Sequence, residues 1–223
     1  MEKKLRKQGE AAFVLGILIL GLGTAFMSVG GFGMSVVVSP AYVLSDLFAG
    51  IAPGTMCYLC QGFLVVVTCI MLRKFRISFL FTFLAAVLFG LSVNLFTALL
   101  SVFGFSSVPA RIICFAVGQL LNAFSIALLL HSYLPQQAPE LFVKSLAEVL
   151  HRDVYKVKYL YDLCSLVLTL ALSFLFFRQM RYIGVGTFVS AAVNGPIIGF
   201  FGRKMDELAD FSPRIQKLYD LLA

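Results

Sequence analysis

Apolar runs of bilayer length recur along this chain, and they constrain its fold more than any other feature. Residues 11–30, 54–72, 78–100, 108–132, 159–177 and 183–202 each come close to the ~20 residues a helix needs to cross a hydrocarbon core. The chain has 223 residues, of which 60% are hydrophobic and only 13% charged, with a mean hydropathy of +0.95. A soluble domain could not cover that much apolar surface with so few polar side chains. The strict apolar/polar alternation of barrel strands is missing. The predicted fold is therefore an all-α polytopic membrane protein with six transmembrane helices.

Two further segments fit no span. Residues 32–50, "FGMSVVVSPAYVLSDLFAG", are apolar enough to be mistaken for one. Residues 135–158 carry Glu140, Lys144, Glu148, His151, Arg152 and Asp153, so they stay out of lipid. Positive charge fixes the count. With six spans and a cytoplasmic start, fifteen Lys and Arg fall inside, while only Arg111, Arg178 and Arg181 fall outside. A seventh span at 32–50 would move "RKFR" (73–76) outside and weaken that bias, so 32–50 is read as re-entrant or interfacial. The expected location is the cell membrane, multi-pass, with both termini cytoplasmic. The basic start followed by an apolar run invites a signal-peptide reading. The run is long for one and no A-x-A site follows it, so an uncleaved first span is expected.

The chain also repeats itself. "FRISFLFTFLAAVLFGLSVNLF" (75–96) over "MRYIGVGTFVSAAVNGPIIGFF" (180–201) gives six matches in 22 positions, where about two are expected by chance. "YLCQ" (58–61) lines up with "YLYD" (159–162), and "SPAYVLSDLF" (39–48) with "APELFVKSLAEVL" (138–150). Each half reads as span, short Pro-led helix, span, small-residue span. Three spans per half is odd, so the halves should be inverted relative to one another. Such halves commonly frame a central site in transporters. The expected units are 1–104, the first repeat; 105–202, the second; and 203–223, a cytoplasmic amphipathic tail with Leu208, Phe211, Ile215 and Leu218 on one stripe.

"GVGTFVSAAVNGPIIGFF" (184–201) carries small residues that let a second helix approach. Pro196 removes a backbone donor, so a helix break and close packing are expected at Asn194, Gly195 and Pro196, with Gly90 and Pro40 as counterparts in the first half. Together with "GLGTAFMSVGGFGMSVVVSPAYVLSDLF" (21–48), this segment resembles the YczE/YitT-like family of bacterial integral membrane proteins. The second half matches that family's G-x-G-T … G-P … F pattern. In the first half, Ala41 and Tyr42 stand after Pro40 where the family usually has an aromatic–acid pair. The resemblance implies topology more than substrate.

Asp162 lies near the start of the fifth span. A carboxylate there is either part of a binding site or an i,i+4 partner of Lys158. Its repeat mate is Gln61. Asn94, Gln119 and Asn122 are amides within apolar runs, suited either to helix–helix bonding or to cavity lining. The candidate substrate- or ion-binding set is Asp162, Gln61, Asn94, Asn194 and Asn122. Asp46 reads as water-exposed, and Glu140, Lys144 and Glu148 as a solvated face. The five cysteines read as small hydrophobes. "CYLC" (57–60) lacks the partners a metal or redox site would need, so no metal or cofactor is expected. No Ser/His/Asp order, H-E-x-x-H or P-loop occurs, so an enzyme is not expected.

The function expected is transport of a small solute by alternating access between inverted repeats, with ion coupling left open. A substrate-capturing subunit of a larger importer, or a non-transport assembly or secretion factor, are the alternatives. The expected partners are the lipid bilayer, a small-molecule or ion substrate and a second copy of the chain. Nucleic acid is not expected, because the net charge of +7 is spread over short loops.

Overall fold

The computed structural model describes residues 9–208 except 133 and 136. Among them are eight α-helices: α1 (Gly9–Gly30), α2 (Ser39–Leu47), α3 (Pro53–Leu72), α4 (Ile77–Ser101), α5 (Val108–His131), α6 (Ala138–Val149), α7 (Val154–Leu172) and α8 (Val185–Leu208). A π-helical turn, Ser173–Phe177, extends α7. Six of these segments, all but α2 and α6, are long and apolar enough to cross a membrane. The chain is thus an all-helical, multi-pass membrane protein. At nine residues, α2 is too short to span, so 32–50 does not cross as a continuous helix.

Local sequence sets the helix starts. Pro40, Pro53, Pro109 and Pro139 stand in the first turns of α2, α3, α5 and α6. There a missing N–H costs nothing. Pro40 therefore begins a helix rather than breaking one. The fifth span starts at Val154 rather than 159, because the Asp153 carboxylate accepts from the Tyr155 and Lys156 amides. The lysines of its first turn hide that start from a reading based on apolarity. The expected break at Asn194–Pro196 is absent. Helix α8 runs through Pro196, which only removes the donor that would have reached the carbonyl of Ala192. Residues 203–208 continue α8 instead of opening a separate tail. Phe211, Ile215 and Leu218 lie outside the described residues.

Helices α1 and α5 pack most extensively and run antiparallel. Gly16 faces Leu129, Gly23 faces Gly118 and Asn122, and Gly30 faces Arg111 and Phe115. At the crossing, a Cβ on Gly23 would press on the Gly118 carbonyl, and one on Gly118 on the Gly23 carbonyl. Helix α4 leans on α1, and α8 on α5. Helix α3 packs on α4, α2 and α6, while α7 packs on α2 and α6. Helices α7 and α8 make no extensive contact with each other.

That gap changes the reading of one glycine. Gly90 of α4 is packed so closely on Gly54 of α3 that a Cβ would collide with the Gly54 carbonyl oxygen. Its sequence mate Gly195 faces open space, with nothing within 4 Å of a Cβ. The expectation of close packing at Gly195 is therefore corrected: the helix that would pack there, α7, stands away from α8. Gly90→Leu should lose roughly 1–3 kcal/mol or more through overpacking. Gly195→Leu should keep wild-type folded yield and melting temperature in detergent. Equal losses at the two positions would contradict this asymmetry.

Candidate functional site

A cavity of about 390 Å³ lies between α1, α5 and α8 on one side and α6 and α7 on the other, with residues 34–38 across one end. Its walls are mostly apolar, from Phe13, Leu20, Phe89, Ile126 and Ile198 among others. Polar groups gather in two places, one near the α1–α5 crossing and one beside α6.

The first is an amide chain. Ser190 Oγ donates to Gln119 Oε1 at 2.7 Å, and Gln119 Nε2 donates to Asn194 Oδ1 at 3.3 Å. Asn122 Nδ2 reaches Met27 Sδ at 2.8 Å and its Oδ1 accepts from Thr24 Oγ1 at 3.4 Å. These bonds satisfy groups that lipid cannot. They also fasten α8 and α1 to α5. Asn194 uses its oxygen on Gln119 and also lines the cavity.

The second place is charged. Asp162, Lys158 and Glu140 all line the cavity. Lys158 Nζ stands 2.9 Å from Asp162 Oδ1, one helical turn away, with both side chains about one third exposed (34% and 32%). Glu140 Oε2 is buried without a hydrogen-bond partner. Burial pushes the Glu140 carboxyl above the usual carboxylate range. Lys158 and Lys144 pull it down, and Asp162 pushes it up.

Of the sequence candidates, the structure brings Asp162, Asn122 and Asn194 to one cavity, and it does not bring Gln61 or Asn94 there. Gln61 is only 7% exposed on α3, and its Oε1 is buried without a partner. Asn94 is structural. Its Oδ1 accepts from the Gly54 amide at 2.7 Å and its Nδ2 donates to Thr55 Oγ1 at 2.9 Å, so it satisfies the open start of α3. By spacing, Glu140 belongs to a solvated face with Lys144 and Glu148. Lys144 and Glu148 are exposed there, but Glu140, in the first turn of α6, lines the cavity. The signal that could have found it is the pair of short Pro-led helices at matching places in both halves. Asp46 is not simply exposed to water either. It accepts from Arg181 Nη1 at 2.6 Å and from the Tyr182 hydroxyl at 3.0 Å, which ties α2 to the α7–α8 connection. Cys57 and Cys60 are free thiols, Cys57 in the main core and Cys60 half-buried beside it.

Comparison with known proteins gives one match. The profile of a family described as "Family of unknown function (DUF6198)" covers residues 7–203. No curated protein and no solved structure matches the chain.

The position of Glu140 sets a pH dependence. Its folded-state value lies above the unfolded one, so the folded chain keeps a proton that the unfolded chain has already released. That stabilisation is complete below the unfolded value of 4.5 and is lost as pH rises through the folded value. Glu140→Gln should therefore melt at a higher temperature than wild type at neutral pH. The gain should fade as pH falls below the usual carboxylate range. A thermal-unfolding series in detergent across that range checks it, and a gain that grew with acidity would contradict it.

Proposed function

The chain belongs to this family of unknown function, and we propose that it is a membrane transporter of a small solute that works by alternating access between two inverted halves. The observation that carries this reading is a match in packing that lacks one extensive contact in the second half. Under the sequence repeat, α1 to α4 correspond to α5 to α8. The α1–α4 contact then corresponds to α5–α8, α3–α6 to α7–α2, and α2–α3 to α6–α7, and every one of these contacts is made. The α1–α5 contact corresponds to itself, with Gly23 and Gly118 as mates across the crossing. The close α3–α4 contact has no counterpart at α7–α8.

An inverted repeat caught with one half closed and the other open is what one of two exchanging states looks like. The cavity lies at the place where α7 and α8 fail to meet, so closing that pair would reshape it. The fifteen-to-three charge split supports a cytoplasmic position for α6 and both termini, and an outward position for α2. It supports the cell membrane as the location on the same grounds. The resemblance to YczE/YitT-like proteins is retained as part of this proposal, on the strength of the glycine patterns alone.

In the exchanged state, α7 should close on α8 as α3 closes on α4. Gly54 corresponds to Tyr155 and Gly90 to Gly195, so those two positions should approach. In a cysteine-free background reconstituted in liposomes, Tyr155→Cys with Gly195→Cys should be bridged by a bifunctional maleimide. Liposomes loaded with a water-soluble metabolite extract should release at least one solute through the uncrosslinked chain, read by mass spectrometry, and release should stop once the bridge forms. No release above protein-free liposomes, or release indifferent to the bridge, would sink the proposal.

A further inference from the structure

We infer that the cavity takes a small organic cation, an ammonium carried on an apolar body, and that Glu140 and Asp162 hold its charged end in competition with Lys158. This rests on the transport reading for its purpose, but its binding test does not.

The charges in the cavity are unequal. Among the described lining residues two are acids and one is a base. The base already serves Asp162 at 2.9 Å. Glu140 Oε2 is left buried with no donor facing it. A buried oxygen without a partner costs free energy, and an ammonium in the cavity would supply the missing donor. An anionic ligand would find the one base already paired with Asp162, and no free positive charge among the described lining residues. Among the described residues no three His, Cys, Asp or Glu side chains converge as a metal ion would require. The remaining walls are apolar, which suits the body of an organic cation, and the volume falls within the range of small-molecule sites.

Burial also explains how such a ligand would be exchanged. Glu140 faces Lys158, Asp162 and Tyr161 on α7, and Lys144 on its own helix. Helices α3 and α4, which also pack on α6, bring no charged side chain; α3 carries only Tyr58 and cysteines as titratable groups. Burial favours the protonated carboxyl while the cavity is empty. As an ammonium enters, the carboxyl O–H bond breaks, the proton leaves to water and the carboxylate pairs with the ligand. One cation replaces another, so the charge in the cavity does not change. Low pH should then oppose binding. Lys158 acts as a tethered competitor, and its removal should free both acids for the ligand.

The test uses the full chain in lipid nanodiscs with three probes of similar shape: benzylammonium, benzyl alcohol and benzoate. Benzylammonium should bind about tenfold or more tightly than the other two, and its affinity should fall as pH is lowered. Glu140→Gln, expected to fold at least as well as wild type, should weaken binding by about tenfold, whereas Lys158→Met should strengthen it by a similar factor. Benzoate binding as well as benzylammonium, or Lys158→Met weakening the cation, would overturn the inference. Selective ammonium binding without solute release would uphold this site and remove the transport proposal. Release of neutral or anionic solutes only, with no ammonium binding, would do the reverse.

Discussion

The antiparallel contact of α1 with α5 is the interaction on which the rest of the molecule depends. Lipid tails are as apolar as leucine, so burial alone does not hold two helices together in a membrane; close packing and hydrogen bonds do. Gly16, Gly23 and Gly30 fall seven residues apart on one face of α1, and each is occupied by α5 atoms that a side chain would displace. That close approach brings Thr24 and Met27 within reach of Asn122. It also sets the platform on which α4 and α8 rest, one on each helix of the pair. The cavity exists because α8 rests chiefly on α5 and stands away from α7. Gln119 bonds both Ser190 and Asn194, Phe124 meets Phe201 edge to face with centroids 5.3 Å apart, and His131 reaches Asp206 at 3.0 Å.

Much of this architecture was legible in the sequence. Apolar length gave six spans, and charge asymmetry kept 32–50 from being counted as a seventh. The short helices at 39–47 and 138–149 were visible as Pro-led segments at matching places in the repeat. What could not be read was which side of each helix a partner occupies. Asn94 and Asn194 are both amides on corresponding small-residue spans, yet one closes the start of α3 and the other faces a cavity. Glu140, Lys144 and Glu148 share a helical face by spacing. Only Glu140 lines the cavity, whereas Lys144 and Glu148 are exposed. Spacing groups residues by face, and it does not say which of them meets a neighbouring helix.

The Gly90 and Gly195 pair shows a second limit. Aligned residues imply equivalent surroundings only if both halves adopt the same conformation. Gly90 is in tight contact with Gly54, while Gly195 is open. Sequence symmetry thus describes the helix contacts that two equal halves would make. The structure shows which of them are made together.

The difference between the halves has a chemical basis in the residues that would latch each pair. In the first half, Asn94 bridges α4 to the start of α3 through Gly54 and Thr55. The position corresponding to Asn94 in α8 is Gly199, which has no side chain to reach with. The start of α7 is capped by its own Asp153 instead of by α8. Helix α7 therefore depends on α2 and α6 for its place. Against α6 it has a small cluster of Val143, Ala147 and Val157; along its length the other buried residues are the hydroxyls Ser165, Thr169 and Ser173. Interhelical hydrogen bonds in lipid are worth about 1 kcal/mol each, so the two bonds of Asn94 add about 2 kcal/mol to the hold of α4 on the start of α3. The residues at 94 and 199, rather than the glycines the two halves share, mark where the packing of the two halves differs.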